Sequence, residues 1–139
     1  PGDKIPGIPA QSVKVRVGYE FTEAVSAGVN LMAFSSQYAR GDENNQDVNG
    51  KVPGYVLVNL DAQYQPTRQF LFFGRINNVF NTDYETLGVL GQNFFNGPGR
   101  TFDASNVTSN QFLSTGAPRG IWVGVQYTFD PKPSSRSTK

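Results

Sequence analysis

A regular alternation of apolar and other residues, in segments about ten residues long, is the strongest constraint on this fold. In GIWVGVQYTF, residues 120–129, every second side chain is apolar: Ile121, Val123, Val125, Tyr127 and Phe129. Because successive side chains of a β-strand point to opposite faces, this pattern predicts a strand with one apolar face. Such a face requires an apolar neighbour, which is either a second protein layer or the hydrocarbon of a bilayer.

The same alternation predicts an all-β, antiparallel, up-and-down arrangement. The five predicted strands lie at 12–21, 25–40, 55–64, 69–80 and 119–129. In the second segment Met32, Phe34 and Tyr38 blur the pattern, and a β-bulge would shift the parity there.

The predicted connections alternate between short and long. Tight turns fall at 22–24 and 65–68, whereas long polar loops span 41–54 and 81–118. The polar residues 130–139, DPKPSSRSTK, predict a disordered tail. The absence of an initiator Met leads us to expect either a processed start or a piece of a longer chain.

Residue usage excludes several classes of function. The chain contains no histidine and no cysteine, which removes the usual general base and the commonest metal ligands. Its serines therefore have no histidine to activate them, and no phosphate-binding or dinucleotide-binding glycine motif occurs. A net charge of +1 gives no preference for nucleic acid. We predict no catalytic residue, no cofactor and no metal ion.

Three features favour lipid over a protein core as the neighbour of the apolar faces. The strand lengths suit tilted strands that cross a bilayer, which need about 9–11 residues. Aromatic residues gather at one end of the strands, as in the girdle of a membrane barrel. Short turns and long loops lie at opposite ends. The alternative is a soluble or surface-attached β-sandwich that binds a glycan through residues 81–118.

Five strands cannot close a membrane barrel, because bacterial examples begin at about eight strands. An open sheet with lipid-type faces exposes its edges and aggregates. The pattern therefore predicts either part of a larger barrel or pairing with other copies of the chain.

Four segments resemble the C-terminal strands of TonB-dependent outer-membrane receptors. GRINNVFNTDYETLG at 74–88 resembles a family segment in which Leu is more usual at Val79 and Asp at Asn81. RGIWVGVQYTF at 119–129 resembles the closing strand of the family. SSQYARGDENN at 35–45 and PGYVLVNLDAQY at 53–64 resemble the preceding loop and strand. Family members usually stop at the terminal Phe, whereas this chain continues for ten residues after Phe129.

The resemblance implies the last five strands of a barrel of about twenty-two in the outer membrane of a Gram-negative bacterium. Residues 41–54 and 81–118 would then be extracellular loops. The family takes up iron-siderophores, cobalamin or carbohydrates, driven by the TonB complex. Its plug domain and TonB-binding box lie N-terminal to the matched strands. The implied partners are outer-membrane lipid, the rest of the barrel with its plug, the TonB complex, the barrel-assembly machinery and a small-molecule ligand.

Three groups of residues are candidates for function. Those expected to face the barrel lumen are Lys14, Arg16, Asn59, Asp61, Gln63 and Arg75. Those expected to contact a ligand from the loops are Asp42, Glu43, Asn44, Phe94, Phe95 and Phe102. The strand Ile121, Val123, Val125, Tyr127 and Phe129 resembles the signal that the assembly machinery reads.

Each group also has a simpler interpretation. The lumen candidates would be solvated or paired wall residues, the acidic loop would be solvated, and the loop aromatics would pack within the loop. A calcium site at Asp42, Glu43 and Asp47 is conceivable, but its spacing departs from the EF-hand pattern. An outer-membrane enzyme that uses Asp61 and Asp42 is a third possibility.

Overall fold

The computed structural model describes residues 2–129, which form an all-β structure. The strands are β1 Ser12–Thr22, β2 Val25–Phe34, β3 Tyr55–Tyr64, β4 Phe70–Asn77, β5 Glu85–Asn93, β6 Thr108–Thr115 and β7 Gly120–Tyr127. Five of them form one antiparallel sheet in the order β1-β2-β3-β4-β7, and β5 pairs with β6 in a separate hairpin. Within the described residues, no helix is long and apolar enough to cross a membrane.

The sheet confirms the predicted all-β antiparallel fold, with β2 shorter than expected. We predicted a strand over 25–40, but β2 ends at Phe34. The backbone N–H of Ser35 donates to Gln11, and Gln37 then pairs with Val52 instead of with β1 or β3. The blurred alternation in this segment therefore marks the exit of the chain from the sheet.

The predicted loop over 81–118 contains the hairpin of β5 and β6. Glycines interrupt β5, and serine, asparagine and threonine interrupt β6, so neither strand has a clean apolar stripe. Their pairing comes from the backbone ladder between Glu85–Asn93 and Thr108–Thr115. The tail predicted at 130–139 lies outside the described residues.

The pairing register brings the apolar residues of all five sheet strands onto one face. One row across the sheet consists of Val17, Val29, Leu60, Ile76 and Ile121. The neighbouring row consists of Tyr19, Ala27, Ala62, Gly74 and Val123. The apolar face is therefore continuous from β1 to β7.

No second layer of residues 2–129 covers this apolar face. Val17 is 62% exposed and Val123 is 85% exposed. Exposing apolar surface to water costs about 25 cal/mol per Å², so the face requires an apolar environment from outside the sheet. The β-sandwich alternative, which needs a covering layer, does not fit the described residues.

Aromatic rings form a band on the apolar face at the end that carries the 65–68 turn. Ring centroids lie 6.1 Å apart for Tyr64 and Phe72, 4.9 Å for Phe70 and Tyr127, and 4.7 Å for Tyr127 and Phe129. Such a band is typical of strands that end at a membrane–water interface.

Replacing Val15 with arginine will destabilise the protein in lipid. Val15 lies within β1 and pairs with Leu31 on the apolar face. Arginine at a lipid-facing site near the bilayer midplane costs about 2–4 kcal/mol. Equilibrium unfolding, from phospholipid vesicles, of the closed barrel that contains this sheet measures the loss. Lys14→Arg, one residue away on the other face, is the control and should change little. Equal effects of the two substitutions would contradict the lipid-facing assignment of Val15.

Candidate functional site

The second face of the sheet carries all six residues that we predicted for the lumen. They are Lys14, Arg16, Asn59, Asp61, Gln63 and Arg75, and the register places them on the face opposite the apolar rows. Arg16 and Asn59 both pair with Asn30 on β2, from its two sides. Asp61 pairs with Arg75 on β4, which in turn pairs with Trp122 on β7.

A polar network on this face joins three strands. The guanidinium of Arg16 donates from Nη1 and Nη2 to the two carboxylate oxygens of Asp61, at 3.2 and 3.1 Å. The side chain of Asn30 accepts from Arg16 at 3.1 Å and donates to Asp61 at 3.1 Å. Both carboxylate oxygens are therefore directed toward β1 and β2.

The ion pair between Arg16 and Asp61 lies over Gly28. A Cβ at position 28 would come within 2.9 Å of Asp61 Oδ2 and 3.1 Å of Arg16 Nη2. The absence of a side chain on β2 therefore gives the two charged groups the room to meet across it.

Two aromatic side chains on the polar face fold back over glycines of β7. The ring of Trp122 lies over Gly120, and the ring of Phe73 on β4 lies over Gly124. The glycines make this packing possible, because a Cβ at either position would collide with the ring. The result is an apolar surface beside Arg75.

Asn78 ties the exit of β4 to its neighbours through four hydrogen bonds. Its backbone N–H donates to Asn59 Oδ1 at 2.8 Å, and its Oδ1 accepts from the N–H of Thr82 at 2.9 Å. Its Nδ2 donates to the carbonyls of Thr82 and Ala117, at 2.9 and 3.3 Å. Asn78 is only 4% exposed, and its φ of 51° is left-handed, a conformation that asparagine tolerates better than most residues.

Asn81 and Tyr84 complete this connection. Asn81 also has a left-handed φ, and its Oδ1 accepts from the backbone N–H of Arg119 just before β7. The ring of Tyr84 lies against Gly116 and 4.6 Å from the ring of Tyr55. The motif at 74–88 thus has a structural role that we did not predict: its asparagines and tyrosine hold the ends of β3, β4 and β7 together.

Replacing Asn78 with alanine will loosen the start of the hairpin. A buried polar group that loses its partner costs about 1–3 kcal/mol. Hydrogen exchange of the Thr82 amide, which now donates to Asn78, measures the effect and should become faster. Asn77→Ala is the matched control, since the side chain of Asn77 makes no hydrogen bond within residues 2–129. Unchanged exchange at Thr82 would contradict this role of Asn78.

The hairpin docks on the segment that precedes β3. The backbone N–H of Arg40 donates to Gly88 and that of Leu90 donates to Arg40, both at 2.8 Å. Ala39 and Val52 are fully buried at this contact. The two predicted loops are therefore one packed unit.

Gly88→Val will separate the hairpin from this segment. A Cβ at position 88 would lie 2.5 Å from Val52 Cγ2 and 3.2 Å from Ala39 Cβ. Overpacking of this kind costs about 1–3 kcal/mol. Limited proteolysis of the folded protein should then cut residues 35–54 faster. Gly91→Ala, whose Cβ would meet only one edge of the exposed Phe112 ring, is the control. Resistance equal to that of the parent protein would show that the contact is not tight.

The tip of the hairpin displays the three predicted aromatic residues. Phe94 and Phe102 stack with centroids 6.0 Å apart, and Phe95 meets Phe102 edge-on at 6.1 Å. Phe95 is 60% exposed and Phe102 is 66% exposed. The rings contact one another and still present a wide apolar surface.

Polar side chains order this tip. Asn96 Nδ2 donates to the carbonyls of Asn93 and Asn106, both at 2.8 Å. The carboxylate of Asp103 accepts from the hydroxyl of Ser105 at 2.6 Å and from its backbone N–H at 2.9 Å. These hydrogen bonds lower the pKa of the Asp103 carboxyl, and the one from the Ser105 hydroxyl has the largest effect. The aromatic surface is thus presented on a structured turn.

The acidic loop divides into a buried and an exposed part. Asp42 is 2% exposed, and its Oδ1 accepts from the backbone N–H groups of Gln46 and Asp47 at 2.8 and 3.1 Å. Glu43 and Asn44 lie on the surface. Asp42 therefore orders the loop from within. Residues 2–129 contain no group of three or more acidic side chains arranged to hold a metal ion.

Comparisons with known proteins agree with this geometry. The family model described as TonB dependent receptor-like, beta-barrel, matches residues 1–79. The crystal structure of the siderophore receptor PiuA from Acinetobacter baumannii is similar with a TM-score of 0.66 at 17% identity, over 91% of this chain and 15% of that one. The copper transporter OprC is similar with a TM-score of 0.61 at 20% identity, over 91% and 18%. A search of curated proteins gave no match.

The fold and its two unlike faces define the class: a segment of antiparallel β-barrel wall. The chain belongs to the TonB-dependent receptor β-barrel family, which confirms the predicted resemblance. It spans less than a fifth of each of these two structures. The family is one of receptors rather than of enzymes.

Proposed function

We propose that this chain forms part of the wall and two extracellular loops of an outer-membrane receptor that takes up a scarce nutrient through TonB. The observation that carries the proposal is the single sheet with one continuous apolar face and one polar face. Lipid outside a barrel and a polar interior supply those two environments at once. Members of the family lie in the outer membrane of Gram-negative bacteria.

In this arrangement the lumen residues line the inner wall. The end with short turns and aromatic rings faces the periplasm, and the hairpin with the acidic loop faces the outside. The rest of the barrel, the plug domain and the contact with the TonB complex belong to other parts of the receptor. The edge strand β7 and the two residues after it, with the stripe from Ile121 to Phe129, are the proposed signal for the barrel-assembly machinery.

Ligand capture is assigned to the hairpin tip and the exposed part of the acidic loop. Phe95 and Phe102 offer flat apolar surface that suits the ring of an aromatic chelate or of a sugar. Glu43 and Asn44 add polar groups on the neighbouring loop. The candidate nutrients are an iron-siderophore, cobalamin or a carbohydrate.

Membrane fractionation tests the barrel assignment. The receptor should be found in the outer-membrane fraction, should require detergent for extraction, and should migrate differently on gels before and after heating, as folded barrels do. Extraction by salt or alkali without detergent would contradict the proposal.

The double substitution Phe95→Ala and Phe102→Ala will weaken ligand binding without unfolding the receptor. Loss of stacking on two rings should reduce affinity at least about tenfold, which corresponds to 1.4 kcal/mol. Binding of a ferric catecholate, a ferric hydroxamate, cyanocobalamin and a maltooligosaccharide to intact cells identifies the class. Phe112→Ala, a change to an exposed ring on β6 of the same hairpin, is the matched control. If both variants bind the recognised probe as the parent does, the tip is not the capture surface.

A further inference from the structure

Arg75 is the one cation on the polar face of β3, β4 and β7, and within residues 2–129 it has no partner. It makes no ion pair or hydrogen bond among them. Asp61 stands directly opposite on β3, yet both of its oxygens are occupied by Arg16 and Asn30. The one acidic neighbour of Arg75 is therefore already neutralised from the other side.

No other acidic side chain of the sheet reaches Arg75. The polar-face positions of β2 and β7 carry no acidic residue. Glu20 lies on β1, three strands from β4, which is roughly 14 Å at about 4.8 Å between strands. The polar face around Arg75 thus keeps an excess positive charge that the described residues do not balance.

The surroundings of Arg75 form a partly apolar concavity of about 500 Å³. Trp122 and Phe73, folded over their glycines, form one side, and Gln63 with the Arg16–Asp61 pair forms the other. Arginine beside exposed aromatic rings is the composition of a protein–protein contact. The planar fork of a guanidinium matches a carboxylate, and apolar walls strengthen such a pair by excluding water.

We infer that Arg75 is the docking point for an aspartate or glutamate side chain of the domain that fills the barrel interior. The inference rests on the proposed function, because only then does this face look inward. Charge complementarity selects the occupant: a carboxylate supplies the one group that the face lacks. The aromatic rings beside it provide the surface on which the rest of that domain packs.

Charge reversal in the intact receptor tests the pair. Arg75→Glu should release the interior domain, so that the receptor in planar bilayers opens at least roughly tenfold more often, the factor that 1.4 kcal/mol of lost docking energy gives. Gln126→Glu, which adds a negative charge on the same face of β7 at a position that pairs with Leu71, should leave the receptor closed. Arg75→Lys keeps the positive charge but loses the planar, bidentate hydrogen-bonding geometry of the guanidinium, and it should give an intermediate effect.

Rescue identifies the partner. Among the aspartates and glutamates of the interior domain, one replacement by lysine should close the Arg75→Glu receptor again. Arg75→Cys should form a disulfide with a cysteine that replaces this same acidic residue of the interior domain. This readout does not depend on the reversed charge being tolerated. It is also simplified by the absence of native cysteine in this chain.

Two results would overturn the inference: an Arg75→Glu receptor that stays closed, or one that no charge reversal rescues and no disulfide traps. Outer-membrane fractionation and heat-dependent migration are measured on the same variants. They remain normal if only the docking assignment fails, and they are abnormal for the parent receptor if the proposed function itself fails.

Discussion

The pairing register of the strands is the constraint on which the rest of the structure depends. Each strand of the sheet pairs with its neighbour so that apolar meets apolar along entire rows, from Val17 on β1 to Ile121 on β7. A slip of one residue in any ladder would send one strand's apolar side chains to the polar face. The two faces therefore remain distinct only because every ladder keeps the same parity.

The polar face shows how a thin sheet makes space for its side chains. Glycines stand where larger groups lie above them: Gly28 beneath the ion pair, Gly120 beneath Trp122 and Gly124 beneath Phe73. These glycines have ordinary φ angles, so the requirement is room rather than backbone freedom. Small residues thus determine which larger side chains can lie above a strand, and at Gly28 this lets β1 and β3 form a contact across β2.

The sequence alone predicted the sheet well, because side-chain alternation reports directly on which face each residue occupies. It placed Arg16, Asp61 and Arg75 on a common face, and the structure agrees. It did not indicate that Asp61 pairs with Arg16 rather than with its direct neighbour Arg75. That choice depends on the empty space over Gly28 and on Asn30, which only the three-dimensional arrangement reveals.

The surface loops were less predictable for a related reason. The strands β5 and β6 gain their order from backbone pairing and from docking on Ala39 and Val52. Neither of these produces a periodic pattern of apolar residues in the sequence. Asn78 was visible as part of a family motif and Asn81 as a departure from it. Their part in joining the ends of β3, β4 and β7 depends on contacts between residues up to 39 positions apart. Buried Asp42 was likewise indistinguishable from its exposed neighbours Glu43 and Asn44.

The sheet has β1 at one edge and β7 at the other, and each edge strand has backbone N–H and C=O groups without a partner in the sheet. In hydrocarbon every such group must be hydrogen-bonded within protein. This stretch of wall is therefore unable to enter a bilayer by itself, however apolar its outer side chains are. In the proposed receptor, the timing of insertion would therefore depend on when both edges are joined to further strands, and not on the affinity of any single strand for lipid.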